Sequence, residues 1–398
     1  MTHDSPDSGS PHAADGHRTS PVRRVLRTIA ITVGLTLALL IVLEGASSAL
    51  LFVWRLGAAT EQRSGVEWQH TRHDEQLGWV HRPNVAIDDL YGPGLSFSTN
   101  SQGFRNSTTF PIDEPPGTVR VICSGDSFTL GYGVSDGESW CAQLGRIDPR
   151  IETVNMGQVA YGVGQAYLWY MRDGRPLDHS VHILGVISVD FDRMMSDDFL
   201  GVAKPRLAVA DDTLVVLNVP VRPPSGRFTR RAREQVSELR LVQVARAVVR
   251  RLPALGAPEE RIATDSPSLP DSASTELMAR ILDSLVTVNE AKGSTFVLAY
   301  IPVRKDLSGG EVSERATRWL EFLTAQAEAR GFLLVDLVEV FARRSPAELA
   351  RLYIPKEAGV GRAHLSAYGN TVAAEEIYRR LASVPELSTD LAPPVPVD

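Results

Sequence analysis

The 398-residue chain has two cysteines, Cys123 and Cys141. Two are too few for a disulfide framework. One bridge between them is open to a domain outside the cytoplasm; two small, buried, apolar residues is the other reading. No CxxC pair and no HExxH helix occurs, so no zinc site is expected, and no metal or organic cofactor is implied. Lysine is nearly missing too, with Lys204, Lys292, Lys305 and Lys356 only, so arginine carries the positive charge. The net charge is −7, and no basic stripe with interleaved aromatics is present. That excludes a general nucleic-acid binder. What is present is 43% hydrophobic and 22% charged residues, enough for a packed core. The length allows two or three domains, or one large domain with appendages.

Residues 1–27 are polar and proline-bearing and read as a disordered cytoplasmic tail. They end in Arg18, Arg23, Arg24 and Arg27. Residues 28–52 are uncharged except for Glu44 and mostly apolar, long enough for a single transmembrane helix. Arginines precede this span in greater number than they follow it. The positive-inside rule therefore places the N-terminus in the cytoplasm and the remainder outside the cell (inner) membrane, with the lipid bilayer as a partner. A cleaved signal peptide ending near Ala46-Ser47-Ser48 is the alternative. Residues 53–116 form an extracytoplasmic connector, in which Leu77-Gly78-Trp79 and Thr99-Asn100-Ser101-Gln102-Gly103-Phe104-Arg105 stand out. Trp79, Phe97 and Phe104 suit a packing role; no chemical role follows from them.

From 117 to 385 strand and helix patterns alternate, which predicts an α/β domain, a parallel sheet flanked by helices. Residues 199–272 interrupt the alternation. They hold a predicted β-hairpin around Asp211-Asp212 and an amphipathic, Arg-rich helix from Arg230 to Arg251. The helix reads as a solvated face or, less simply, as a docking element. Residues 386–398 read as a flexible tail.

The chemistry is concentrated at one strand end. Val119 to Ser124 is a buried-strand pattern that stops on Gly125 and presents Asp126-Ser127 on a tight turn. A serine at the carboxyl end of such a strand sits where open α/β sheets bind ligands. An ordinary strand-loop-helix junction with a capping serine is the plainer reading. Serine needs an adjacent base to act as a nucleophile, and His364, just before a C-terminal helix, is the candidate.

Gly125-Asp126-Ser127-Phe128 resembles the first block of the SGNH, or GDSL, hydrolase family. Asn155-Met156-Gly157, the strand ending at Val189-Asp190, and His364 follow in the family's order over roughly 270 residues. The resemblance extends to a bacterial, membrane-anchored subgroup through Leu77-Gly78-Trp79 and the Thr99 to Arg105 run. It implies an SGNH-type, flavodoxin-like three-layer fold. It also implies ester chemistry with Ser127 as nucleophile, His364 as base, and the Ser127 and Gly157 N–H groups as oxyanion donors. Two positions depart from the pattern. Val189 stands where a side-chain Asn is usual, and Gly361 stands where the acid that orients the base is usual. Ser188, Asp190 and Glu357 are the candidate substitutes, and a Ser–His pair oriented by a carbonyl is the other solution. The expected activity is an esterase or O-acyltransferase acting on acyl esters of a cell-envelope glycan or a small acyl ester. The alternative is an impaired relative that binds envelope polysaccharide or serves in its assembly. Protein partners are not readable.

Overall fold

The computed structural model describes residues 25–39, 41–42, 45, 69–223, 269–358 and 360–391. Residues 25–39 are helical, with exposed apolar side chains such as Leu35 and Leu39. Among the described residues no helix is long and apolar enough to cross a membrane. Glu44, Trp54, the helix expected from Arg230 to Arg251 and residues 392–398 lie outside the described residues.

The remaining described residues belong to one compact unit. It opens with two short antiparallel pairs, β1 (Thr71–Asp74) with β2 (Gly78–His81) and β3 (Ala86–Ile87) with β4 (Phe97–Ser98). The sheet proper is built from β5 (Val119–Gly125), β6 (Ile151–Gly157) and β7 (Val181–Val186). After β8 (Asp198–Phe199), β9 (Val202–Ala203) and the hairpin β10 (Arg206–Ala210)–β11 (Thr213–Leu217), it is completed by β12 (Thr295–Tyr300) and β13 (Leu333–Asp336). Its order is β13-β12-β7-β5-β6, and every neighbouring pair is parallel. The helices used below are α1 (Ser127–Leu130), α2 (Trp140–Ile147), α3 (Val163–Trp169), α4 (Asp190–Met194), α5 (Ser272–Lys292), α6 (Glu314–Arg330), α7 (Leu337–Ala342), α8 (Pro346–Leu352) and α9 (Ala367–Leu381).

Both faces of the sheet are covered because its strands are apolar at successive positions rather than alternate ones. Val121, Cys123, Ile183, Val297 and Ala299 join the core that includes Trp140 of α2, Phe341 of α7 and Ile377 of α9. Ile122, Val154, Leu184 and Leu298 join the other, which includes Trp169 of α3, Ile281 of α5 and Trp319 of α6. Each such aliphatic side chain contributes about 1.5–3 kcal/mol by its burial. Cys123 and Cys141 are bonded to each other, with Cα atoms 6.2 Å apart, and tie β5 to α2.

The chain leaves β5 for β6 on one side and then crosses to β7 on the other. The strand order therefore reverses at β5/β7, and the carboxyl ends of these two strands are where open α/β sheets bind ligands. Packing in the connector follows the expectation: Phe97 and Phe104 are buried within the same unit as the sheet, and Arg105 with them. One expectation is corrected. Residues 386–391 are not a loose tail, because a short helix (Pro385–Ser388) buries Leu387, and Leu391 is buried after it.

Candidate active site

Ser127 opens α1 directly after β5. Asp126 caps that helix, its Oδ1 accepting the Phe128 N–H at 2.8 Å. Asp126 and Ser127 are only 1% and 4% exposed, so the hydroxyl is nearly enclosed. The turn that holds His364 lies between α8 and α9. It is closed by the His364 N–H to Gly361 O bond and pinned to Ile354 by two more backbone bonds. This brings His364 Nε2 to 2.9 Å from Ser127 Oγ, across 237 positions of sequence. The imidazole is flanked by the Phe128 and Tyr132 rings, with centroids 4.9 and 5.0 Å away.

On the far side of the ring, Nδ1 lies 3.3 Å from Gly361 O and 3.3 Å from Arg362 O. Carbonyls only accept hydrogen bonds. The proton therefore sits on Nδ1, and the Nε2 lone pair faces the Ser127 hydroxyl. Burial pulls the His364 pKa below its ordinary value. The negative Asp126 and the two carbonyls pull the other way, and the nearby Arg193 guanidinium adds to the lowering.

The acid that sequence reasoning sought for this ring is not there. Glu357 is exposed and makes no hydrogen bond to His364. Asp190 is buried, but its Oδ2 accepts the Ile187 N–H and its Oδ1 accepts from Arg193. Burial, with Asp126 close by, pushes its pKa well up. Ser188 is buried as well and donates to Asp306 Oδ1 at 3.1 Å, away from the Ser127 hydroxyl. The position three before the His cannot hold an acid at all. Gly361 has φ +77, and a Cβ there would stand 2.6 Å from the Gly133 Cα. The two backbones touch where a side chain would have to pass.

Gly157 is also reassigned. Its N–H donates to Asn155 Oδ1 at 2.9 Å, so it is not presented to a substrate. Glycine is required there for packing, since a Cβ would lie 2.0 Å from the Leu130 nitrogen of α1. The next loop holds a backbone feature that sequence reasoning missed. Ala160 has φ +63, a left-handed conformation that is rare for alanine. Among the described residues neither its N–H nor that of Ser127 makes a backbone hydrogen bond. A glycine would have signalled such a turn; alanine hides it.

The connector motifs brace the segments around Ser127. The Trp79 indole donates to Val159 O at 2.9 Å, the Tyr161 hydroxyl donates to Trp79 O, and Gln165 Nε2 donates to Leu77 O. These bonds hold the Ala160 loop. Arg105 in turn donates to Leu130 O, Gly131 O and Val134 O, and pairs with Asp136. They fix the end of α1.

A second Ser–His contact lies in the sheet. Ser124 Oγ is 2.8 Å from His182 Nε2, and Asn289 Nδ2 is 3.2 Å from His182 Nδ1. All three residues are at most 1% exposed, so no substrate reaches them and the set is a structural network.

No known family profile matches this chain, and no curated protein matches it. Solved structures do. A lipolytic protein of the G-D-S-L family from Desulfitobacterium hafniense is 16% identical, with a TM-score of 0.38; 66% of this chain and 100% of that one are covered. A lipase/acylhydrolase from Enterococcus faecalis is 12% identical, with a TM-score of 0.36, over 70% of this chain and 100% of that one. An acetyl-xylooligosaccharide esterase from Geobacillus is 12% identical, with a TM-score of 0.36, over 66% and 93%. The solved structures similar to this chain thus include members of the family that the Gly125 to Phe128 block resembles.

Proposed function

We propose that this protein is an ester hydrolase working through a Ser127–His364 dyad oriented by main-chain carbonyls. The observation that carries the reading is the 2.9 Å contact between His364 Nε2 and Ser127 Oγ, with Nδ1 held by two backbone carbonyls. Ser127 Oγ attacks the ester carbonyl while its proton passes to Nε2. Collapse of the tetrahedral intermediate gives that proton to the departing alkoxide and leaves an acyl-enzyme. Water, deprotonated by the same nitrogen, releases the acid. The Ser127 and Ala160 N–H groups are the free backbone donors for the developing oxyanion. Carbonyls preserve the tautomer but carry no full charge to stabilise the imidazolium. The rate ceiling therefore falls below that of an acid-assisted site.

An acylated envelope glycan is the substrate class this reading favours, with an alcohol acceptor in place of water making the same site an O-acyltransferase. The apolar run at 28–52 supports a single-pass anchor with the catalytic unit outside the inner membrane. The Cys123–Cys141 bond supports an oxidising compartment. The second reading, a glycan-binding or assembly protein, draws on Val189 and Gly361, which lack the usual side chains.

The test is labelling of the full chain by a fluorophosphonate probe, with Ser127→Ala beside it. Labelling that disappears in the variant is expected. A folded wild-type chain that does not label would overturn the hydrolase reading in favour of binding.

A further inference from the structure

Val189 leaves the surroundings of Ser127 without the amide side chain that would complete a three-donor oxyanion site, but the same helix supplies a guanidinium one turn later. Arg193 lies on α4, and its Nη1 donates to Asp190 Oδ1 at 2.9 Å, to Asp126 Oδ2 at 3.2 Å and to Tyr161 O at 3.3 Å. Two of these acceptors matter here. Asp126 belongs to the nucleophile's turn, and its Oδ2 is 3.3 Å from Ser127 Oγ. Tyr161 follows Ala160. The guanidinium thus bridges the two segments that carry the free backbone N–H groups. The loop comes this close because residue 162 is glycine; a Cβ there would lie 2.7 Å from the Arg193 Cβ. The Phe199 ring lies 5.4 Å from Cζ. Arg193 Nε is buried with no partner among the described residues, while the side chain as a whole is 17% exposed. A buried N–H left without an acceptor is costly, and its presence calls for an explanation. An oxyanion formed at Ser127 is an acceptor of matching charge.

Resting on the hydrolase reading above, we propose that Arg193 is the third oxyanion donor of this site, a cation in place of the amide that Val189 lacks. It is a catalytic residue in the strict sense, since it would touch the reacting oxygen. Asp126 and Asp190, both buried, hold it in place before the substrate arrives, so little reorganisation is needed when charge develops.

The experiment compares wild type, Ser127→Ala, Arg193→Lys, Arg193→Gln and the double variant Asp190→Asn/Arg193→Gln in the full chain. Fluorophosphonate labelling rate, kcat and KM on p-nitrophenyl acetate, and Tm are read for each. Arg193→Gln is expected to lower kcat and the labelling rate by about 10²–10³ with KM little changed, as for loss of one oxyanion donor. Arg193→Lys should recover part of that loss. The double variant replaces the ion pair with neutral groups, so it reports the rate even if the single change leaves Asp190 unpaired and unfolds. A folded Gln variant, single or double, within about threefold of wild-type kcat would overturn the proposal. So would a Lys variant as slow as Gln with Tm falling alongside, which would make Arg193 a brace. A wild type that neither labels nor turns over overturns the hydrolase reading, and this inference with it. A labelled wild type with unimpaired Arg193 variants overturns this inference alone.

Discussion

Gly361→Asp places a carboxylate at the position from which the family pattern would orient His364, and the structure predicts that it harms the site. A residue with a Cβ at φ +77 costs about 1–2 kcal/mol for the left-handed conformation. The new Cβ would also stand 2.6 Å from the Gly133 Cα and 3.0 Å from Ile354 Cδ1. Overpacking of this kind costs about 1–3 kcal/mol more. The expected loss of stability is therefore about 2–5 kcal/mol. The same residue's carbonyl closes the turn to the His364 N–H and accepts from Nδ1, so relief of the clash displaces the base itself. Urea unfolding gives the first quantity, and kcat/KM on p-nitrophenyl acetate gives the second; both should fall. Gly361→Ala, which adds the Cβ without the charge, should lose nearly as much. A folded Gly361→Asp protein with raised kcat/KM and its acid limb moved to higher pH would refute the reasoning. It would mean that the backbones part and that a carboxylate reaches Nδ1.

Two further predictions concern pH and the connector. On the proposed reading His364 acts as base only when neutral, and burial lowers its pKa from the ordinary 6.5. Activity should therefore persist as pH falls through 6.5 and be lost only lower; a kcat/KM profile with its acid midpoint at or above 6.5 counts against this placement. Arg105→Met strands the Leu130, Gly131 and Val134 carbonyls and the Asp136 carboxylate. It should cost about 3–5 kcal/mol in urea unfolding, and a loss under about 1 kcal/mol would show that the brace is incidental.

The strand that ends at Gly125, the serine on its turn and the histidine before the last long helix were legible because each has a residue type that its position demands. The parallel sheet followed from the alternation of strand and helix patterns. What could not be read depends on which neighbour takes a hydrogen bond. Gly157 resembles an oxyanion donor until Asn155, two residues back, is seen to occupy its N–H. Ser188 and Asp190 are of suitable types, but Asp306 and Arg193 take them. The orienting group has no sequence signature, since every residue carries a carbonyl; only Gly361 and Gly133, far apart in the chain, hint at the contact that puts it there. Trp79 and Arg105 were visible as motifs. Their work became clear only when their partners proved to be carbonyls of the site's own loops.

The sealed Ser124–His182 pair carries a lesson about how active sites are searched for. Ranked by distance alone, it would stand above the Ser127–His364 pair, at 2.8 Å against 2.9 Å, and its Asn289 would even look like the orienting member of a triad. A template search blind to solvent would return this protein twice and prefer the sealed serine. The two pairs differ in enclosure: His364 is partly exposed, whereas Ser124, His182 and Asn289 are all at most 1% exposed.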